Sequence, residues 1–129
     1  MIVYLKEHFS SAHLYKQSQW DAAENLKHFG RCFNEFGHGH NYTVEVGFHI
    51  DEVDFEQTKQ KYALVLKEIC QKLDHEHLNF SVPEFKTHIP TTENIAIYFH
   101  EKLKNQISET KIALIRLYEM NDLWTEIRL

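Results

Sequence analysis

Residues 38–50 read HGHNYTVEVGFHI, and the alternation along this stretch decides the fold of the 129-residue chain. Large apolar side chains occupy every second position, at Tyr42, Val44, Val46, Phe48 and Ile50. The positions between them include Thr43, Glu45 and His49. Because successive side chains of a strand point to opposite faces, this pattern predicts a half-buried β-strand from His40 to Ile50.

Two amphipathic helices are predicted downstream of that strand. The first opens at Asp54, with Gln57 three residues later in the arrangement of a capping box. It presents one apolar stripe at helical spacing, made of Tyr62, Val65, Leu66, Ile69, Cys70 and Leu73. The second follows Pro90, with Thr91 or Thr92 as its N-cap. Its apolar positions are Ala96, Phe99, Leu103 and Ile107.

The two ends of the chain complete the sheet. Met1–His13 is predicted to be a strand, and Lys111–Met120 with Leu123–Leu129 is predicted to form a hairpin. The order is therefore strands, two helices, strands. It predicts a single α+β domain over residues 1–129, in which two helices pack on one face of an antiparallel sheet.

Composition excludes several classes of partner. Fourteen basic and nineteen acidic residues give a formal net charge of -5, whereas nucleic-acid-binding proteins normally carry a basic surplus. No apolar stretch approaches the roughly 20 residues that span a bilayer, and the N-terminus lacks the pattern of a signal peptide. Two cysteines are too few for a disulfide framework. We expect a cytoplasmic protein that binds neither nucleic acid nor membranes.

Ten histidines in so short a chain prompt a search for a metal site. His38 and His40 are two apart in an extended segment, so their imidazoles point to the same side, and Gly39 between them adds no bulk. His13, at the end of the first predicted strand, can add a third nitrogen if the two strands are neighbours. Three neutral imidazoles leave one open position on a tetrahedral zinc ion, as in catalytic sites. For the tripeptide alone, two solvent-facing histidines are the simpler interpretation.

Six separated motifs, taken together, resemble the 6-pyruvoyltetrahydropterin synthase family. They are Phe9–His13 (FSSAH), Phe29–Cys32 (FGRC), Gly37–Tyr42 (GHGHNY), Leu73–His75 (LDH), Pro90–Asn94 (PTTEN) and Tyr118–Glu119 (YE). They occur in the family's order, from about residue 9 to the C-terminus. Each motif alone is a weak signal, whereas the joint match is specific.

The resemblance implies a tunnelling fold (T-fold), in which sheets from several subunits close a barrel. It also implies a homo-hexamer made of two trimers, with active sites at the subunit interfaces. The cofactor would be zinc (Zn2+), held by His13, His38 and His40. The substrate would be a small pterin, 7,8-dihydroneopterin triphosphate.

The resemblance also assigns proton transfer to three residues. Cys32 matches the family's general base, and a thiolate can take that role when a nearby cation or metal stabilises it. Asp74 and His75 match a pair that completes a proton relay with the cysteine, since a carboxylate can orient an imidazole and stabilise its charged form. Without the resemblance, this pair would be an ordinary helix C-terminus. Cys70 lies on the apolar stripe and fits a small buried residue.

Substrate binding is implied for a second group of residues. Glu119 matches the family's pterin anchor, where a carboxylate accepts hydrogen bonds from the ring's amino group and the adjacent N–H. The segment that borders the pterin matches Thr91, Thr92 and Glu93, and the last two also fit a helix cap and a first helical turn. Candidates for the triphosphate, by charge and position alone, are Lys16, Lys27 and Arg31. Each of these is individually better explained as a solvated surface residue.

Two features depart from the family pattern. Family members usually carry a longer hairpin before the Asp-Phe pair that opens the first long helix, whereas here Asp54 follows Tyr42 by only twelve residues. This shortening concerns the sheet edge and the barrel packing and touches none of the matched site residues. Glu35 stands three residues before His38, near the point where aldolase-like relatives use a glutamate in place of the cysteine. The simpler interpretation of Glu35 is a loop carboxylate.

The activity implied first is that of a carbon–oxygen lyase, which converts 7,8-dihydroneopterin triphosphate to 6-pyruvoyltetrahydropterin with loss of triphosphate. Two alternatives use the same kind of site: 6-carboxytetrahydropterin synthesis for queuosine, which releases acetaldehyde, and dihydroneopterin aldolase-like cleavage. From a different class, the chain could be a non-catalytic zinc- or pterin-binding homologue. A structural zinc protein would need four ligands, and the match supplies three.

Overall fold

A five-stranded sheet forms the centre of the computed structural model, which describes residues 1–34 and 36–129. Its strands are β1 (Ile2–His13), β2 (His38–His49), β3 (Glu76–His77), β4 (Ile112–Met120) and β5 (Leu123–Arg128). Their order across the sheet is β3-β1-β2-β4-β5, and all pairings are antiparallel except the short one between β1 and β3. The strands predicted at the N-terminus, after His38 and in the C-terminal hairpin are confirmed.

Helices cover one face of this sheet. They are α1 (Ala22–Phe29), α2 (Phe55–Leu73), α3 (Leu78–Ser81) and α4 (Thr92–Lys104). The side chain of Thr91 caps α4 by accepting a 3.2 Å hydrogen bond from the backbone N–H of Asn94. In the part of the chain that the structure describes, no helix is long and apolar enough to cross a membrane. The predicted α+β architecture, with the two long helices on one face of the sheet, is confirmed.

The core lies between the long helices and the sheet face that they cover. All six stripe positions predicted for α2 are buried. Phe9 of β1 stacks on Tyr42 of β2 with ring centroids 4.9 Å apart, and Phe99 of α4 packs on Phe9 at 5.6 Å. Burying an aromatic ring of this kind stabilises a fold by roughly 1.5–3 kcal/mol. Ile107 is buried as predicted, although it lies beyond the end of α4.

Pairing between β1 and β2 positions the site. The two strands pair along their whole length, from Ile2 opposite His49 to His13 opposite His38. Only residues 50–54 connect β2 to α2. At the His13 end of the sheet, the core-facing side chains change from aromatic rings to histidines.

One local prediction is wrong, and one further position is more buried than its pattern indicates. Asp54 forms no capping box, because its backbone is left-handed, with φ 61°, and its side chain makes no capping hydrogen bond. N-cap residues normally have extended backbone angles, from which the side chain reaches the first helical N–H groups. Glu45 lies on the face opposite the core, as predicted, but it is only 7% exposed. Lys6 and Arg116 from the two flanking strands pair with it and cover it.

Candidate metal centre and active site

Four side chains converge where β1, β2 and β4 lie side by side. They are His13, His38, His40 and Glu119. One ligand-type atom of each lies within 4.8 Å of those of the other three. The Nε2 atoms of His13 and His38 are 3.0 Å apart. Glu119 Oε1 lies 3.2 Å from His13 Nε2 and 2.9 Å from His40 Nε2. The structure therefore brings the three histidines together and adds a carboxylate to them.

A backbone carbonyl fixes the orientation of His13. Its Nδ1 atom lies 3.0 Å from the carbonyl oxygen of Pro90 and 2.9 Å from the Tyr42 hydroxyl. Since a carbonyl oxygen only accepts hydrogen bonds, Nδ1 carries the hydrogen. The neutral ring then keeps its lone pair on Nε2, which faces the other three side chains. Metal-ligating histidines commonly donate their second ring N–H in this way.

Charge states in the cluster suit a metal site. Burial lowers the pKa of His38 and of His40, and His13 beside them lowers both further. The pKa of Glu119 is also lowered, chiefly by its pairing with His13 and then by the positive charge that the histidines can carry. Neutral imidazoles and an ionised carboxylate are the forms in which these side chains bind metals.

The contact between His40 and Glu119 is close without being a hydrogen bond. Among the described residues, the buried Nε2 atom of His40 has no hydrogen-bond partner, although the Glu119 carboxylate is 2.9 Å away. The two polar atoms therefore do not point at each other. Donor atoms that face a common point in this way are arranged as they are around a metal ion.

The spacing of the four atoms fits a small divalent cation. Metal bonds of about 2.0–2.1 Å in a tetrahedral arrangement put neighbouring nitrogen and oxygen ligands roughly 3.3 Å apart. Three of the six distances between these atoms are 2.9, 3.0 and 3.2 Å, and all six are within 4.8 Å. His13, His38, His40 and Glu119 are therefore the residues that could hold a metal ion in this chain.

A tight turn directs His38 into the cluster. Gly37 has a φ of 75°, and a Cβ atom there would lie 2.5 Å from the carbonyl oxygen of His13 and 2.7 Å from Nε2 of His77. Only glycine fits so close an approach. The ring of His77 stacks on Phe80 at 4.2 Å, and burial lowers its pKa. His77, to which the sequence assigned no role, thus supports the turn that leads into β2.

Cys32 lies on the cluster's side of the molecule, in the 3₁₀ turn Gly30–Cys32 that follows α1. Its carbonyl accepts a 2.8 Å hydrogen bond from the backbone N–H of Tyr15. The Tyr15 ring packs edge-on against His13, with centroids 5.1 Å apart. Burial raises the pKa of Tyr15, and negative charge at Glu119 and Cys32 raises it further. Tyr15 therefore connects the partly exposed Cys32 with the cluster.

Asp74 and His75 lie beside the edge of β1 that pairs with β3. Asp74 Oδ1 accepts a 2.7 Å hydrogen bond from the N–H of Ser10, and the N–H of His75 donates one of 2.7 Å to the Ser10 carbonyl. His75 has a left-handed φ of 60°, a strained conformation that concentrates at functional sites. Its Nε2 is 3.4 Å from Asp74 Oδ2, and its side chain is 86% exposed. Within the described residues, no hydrogen bond or ion pair joins this pair to Cys32.

The segment predicted to border a pterin begins α4. Thr92 is buried, donates a 3.2 Å hydrogen bond to Glu93 Oε2 and accepts one of 3.0 Å from Thr125 of β5. Thr91 caps the helix, as described above. Negative charge at Glu93 also contributes to the raised pKa of Tyr15. The segment is linked to the cluster through Pro90, the residue before it, whose carbonyl oxygen lies 3.0 Å from His13 Nδ1.

A cavity of about 960 Å³ lies between the end of β1 and the start of α4. Its basic lining residues are Lys16, Lys86 and His88. Of the three candidates for the triphosphate, Lys16 lines this cavity, whereas Lys27 and Arg31 do not. Lys86 was missed in the sequence because it belongs to no motif and stands in a short turn, Pro83–Lys86.

The place of Glu119 beside the histidines was also missed in the sequence. A signal was present in the sequence, because Ile115, Leu117 and Glu119 occupy every second position of β4 and so share one face of the strand. All three are buried in the structure. Tyr118 lies opposite Thr43 of β2, which puts its neighbour Glu119 near the histidine end of the sheet. The predicted alternative role of Glu35 concerns a position outside the described residues.

Comparison with known proteins identifies the family. The family model described as 6-pyruvoyl tetrahydropterin synthase matches residues 2–129. The chain is 36% identical to the 6-pyruvoyl tetrahydrobiopterin synthase of Pongo abelii and 35% identical to that of Homo sapiens. Each match spans 119 residues and covers 88% of this chain and 81% of the relative.

A solved structure gives the same answer for the fold. The 6-pyruvoyl tetrahydropterin synthase of Caenorhabditis elegans superposes on this chain with a TM-score of 0.87 and 29% identity, covering 99% of this chain and 94% of that one. The fold of the chain is therefore the tunnelling fold that the motifs predict. Taken with the family match over residues 2–129, this shows that the chain belongs to the 6-pyruvoyl tetrahydropterin synthase family.

Proposed function

We propose that the chain is a cytoplasmic, zinc-dependent lyase that converts 7,8-dihydroneopterin triphosphate to 6-pyruvoyltetrahydropterin with loss of triphosphate. The observation that carries the proposal is the convergence of His13, His38 and His40, in a chain of this family, at the end of the sheet. Zinc held there would act as a Lewis acid toward a hydroxyl or carbonyl group of the substrate side chain. We further propose that residues 1–129 act as one pterin-synthase-like domain.

In this proposal Glu119 binds the pterin ring. Its carboxylate is 6% exposed and its pKa is lowered, so it is held ionised in a site from which water is largely excluded. A carboxylate in that state accepts two parallel hydrogen bonds from an amino group and a neighbouring N–H, which fixes the plane of the ring. Thr91, Thr92 and Glu93 would border the same ring, since the Pro90 carbonyl ties their segment to His13.

Proton transfer in this proposal belongs to Cys32 and to the Asp74–His75 pair. Cys32 would take a proton from the substrate side chain, and His75 would exchange that proton while Asp74 orients the imidazole. The strained, solvent-facing conformation of His75 supports a role in exchange with another group. Because no hydrogen bond or ion pair joins Cys32 to the Asp74–His75 pair within the described residues, we propose that the pair of a neighbouring subunit completes each site, in a homo-hexamer of two trimers.

The test is product analysis by mass spectrometry after zinc-loaded protein is incubated with 7,8-dihydroneopterin triphosphate. We expect a pyruvoyl pterin and released triphosphate. A carboxy pterin with acetaldehyde would assign the protein to the queuosine branch, and a hydroxymethyl pterin would assign it to the aldolase-like branch. Unchanged substrate in the presence of bound zinc would contradict the proposed synthase activity.

A matched pair of cysteine variants tests the proton-transfer role. Cys32→Ala should lower turnover by about 10²–10⁴-fold, the usual contribution of a general base, while zinc binding is retained. Cys70→Ala is the control, because Cys70 is buried on α2 and burial raises the pKa of its thiol to about 12. Normal turnover by Cys32→Ala would place the base elsewhere. A chain that only binds zinc or pterin would show no turnover in any form.

A further inference from the structure

Glu119 is a buried carboxylate with no fixed cation beside it. In the part of the chain that the structure describes, its ion-pair contacts are with His13 and His40 alone, and neither lysine nor arginine reaches it. An ionised carboxylate that is removed from water needs a compensating charge or several hydrogen bonds. The surroundings of Glu119 therefore favour a bound cation.

Geometry places that cation in contact with the carboxylate as well as with the histidines. Glu119 Oε1 is as close to the imidazole nitrogens, at 2.9 and 3.2 Å, as His13 and His38 are to each other, at 3.0 Å. The Nε2 atom of His40 lies 2.9 Å from this oxygen and has no hydrogen-bond partner among the described residues. Carboxylate oxygens are ordinary zinc ligands at about 2.0–2.2 Å. The oxygen thus occupies the fourth corner of the site, where a substrate group would otherwise bind.

We propose that Glu119 is the fourth metal ligand of the substrate-free protein and that it leaves the metal when it binds the amino and N–H edge of a pterin. The second half of this inference rests on the proposed function. Recognition of a two-donor edge uses both carboxylate oxygens, so Oε1 is no longer available to the metal. Binding of the ring therefore opens a coordination position for the substrate side chain. Without a pterin, the site is closed, as structural zinc sites are.

Cobalt(II) in place of zinc tests the first half, because its visible spectrum reports the number and type of its ligands. The protein is stripped with a chelator, and cobalt affinity and spectrum are measured for the parent chain and for Glu119→Gln. We expect the variant to bind cobalt about 10–100-fold more weakly, at least the loss seen when an outer partner of a ligand is removed, with a shifted spectrum. Glu45→Gln is the matched control, because Glu45 is equally buried but lies on the opposite face. It should leave both measurements unchanged.

Pterin itself, which has the ring edge but no hydroxylated side chain, tests the second half. Added to the cobalt form of the parent chain, it should change the spectrum, because the carboxylate leaves and a solvent molecule replaces it. This arm needs no variant, so it does not depend on how well Glu119→Gln folds. Binding of pterin is followed independently by its fluorescence.

The outcomes separate the two halves. Equal cobalt affinity and spectra for the parent chain and Glu119→Gln would overturn the ligand role and with it the exchange. Suppose that Glu119→Gln loses cobalt affinity as expected, but that pterin binds the parent chain without changing the cobalt spectrum. This result would show that the carboxylate stays on the metal, and it would overturn the exchange alone. Pterin that fails to bind the parent chain would contradict the proposed function and the exchange, while the cobalt affinities would still decide the ligand role.

Discussion

Two glutamates, Glu45 and Glu119, are buried among the described residues, and they lie on neighbouring strands but on opposite faces of the sheet. On the outer face, Glu45 meets Arg116 at 3.0 Å and Lys6 at 3.5 Å. On the helix-covered face, the ion-pair contacts of Glu119 within residues 1–34 and 36–129 are with the imidazoles of His13 and His40 alone. The comparison shows what separates a structural from a functional buried charge. The chain supplies the counter-charge of Glu45, whereas that of Glu119 has to come from outside.

The surroundings of Glu45 form a closed set of fixed charges. Arg116 also pairs with Glu126, which in turn pairs with Arg128. The guanidinium of Arg116 lies over the Trp124 ring, 5.7 Å from its centroid, an arrangement that adds a cation–π attraction. Each charge in this network has a partner of opposite sign within the chain. An added ion therefore has nothing to neutralise on the outer face.

Of the changes that would affect one glutamate site and not the other, the largest effect is expected from a substitution in the turn before β2. Gly37→Ala places a methyl group against the His13 carbonyl and the His77 ring, so His38 must move out of the cluster while the Glu45 network stays intact. We expect cobalt or zinc affinity to fall at least about 100-fold, because a first ligand is lost. Titration with metal under equilibrium conditions measures this loss.

Gly30→Ala is the control for the backbone effect. Gly30 also has a positive φ, 53°, but an added Cβ there would meet nothing within 4 Å. A side chain on a positive-φ backbone costs about 1–3 kcal/mol in each variant, which thermal unfolding of both proteins reveals. Normal metal affinity in Gly37→Ala would show that the turn does not position His38.

A smaller effect, with opposite signs at the two glutamates, is expected in the metal-free protein. Glu45→Gln leaves Lys6 and Arg116 without one of their partners and should lower the Tm by about 2–5 °C. Glu119→Gln removes a buried charge that has no fixed cation and should leave the Tm unchanged or raise it. With saturating zinc, the order should reverse, because bound metal stabilises the folded state and Glu119→Gln binds it less tightly.

Scanning calorimetry with and without a chelator makes that measurement. High salt provides an internal check, since it should reduce the effect of Glu45→Gln, whose partners reach solvent. If both variants lose stability equally in the absence of metal, the distinction between the two carboxylates is wrong.

The smallest effect concerns pH in the metal-free protein. The pKa values of His38 and His40 are lowered in the folded state, chiefly by burial. The folded state therefore binds fewer protons than the unfolded state, and stability falls as the pH drops below about 6.5, the ordinary value for histidine. Glu119, whose pKa is lowered too, adds to this loss only below about 4.5, the range in which an unfolded glutamate begins to take up protons.

We expect the Tm to fall by about 1–3 °C between pH 7 and pH 5.5. Replacing both His38 and His40 by asparagine should flatten this dependence. His49→Asn, at the exposed far end of the same strand, should leave it as it was. A steeper profile in the double variant would mean that other groups control acid stability.

The sequence predicted the structure well where many residues follow one repeat, either the spacing of a helix or the alternation of a strand. The α2 stripe follows helical spacing, and all of its predicted positions are buried. Along β2 the predicted apolar positions from Tyr42 to Phe48 are all buried, although Glu45 and Gly47 between them are buried too. The histidines were found because His38 and His40 share one side of a strand, and because β1, which ends in His13, is that strand's neighbour.

Features that depend on a single contact between distant segments were not accessible from the sequence. The place of Glu119 depends on the register of β4 against β2. The orientation of His13 depends on the carbonyl of Pro90, 77 positions away in the chain. Asp54 has the residue type of a cap but a left-handed backbone, which its local sequence does not reveal. Each of these is set by tertiary packing, which has no periodic signature.

The donor set of three imidazole nitrogens and one carboxylate oxygen also determines which ions compete for it. Magnesium and calcium prefer shells made of oxygen atoms alone. These two abundant divalent ions are therefore expected to bind this set of ligands weakly. Among the transition metals, affinity for such a set rises along the series to copper(II) and is lower again for zinc. The ligands thus rank copper above zinc, and it is the supply of free ions that decides which one is loaded. Protein produced in a copper-rich medium should carry copper at these same four side chains.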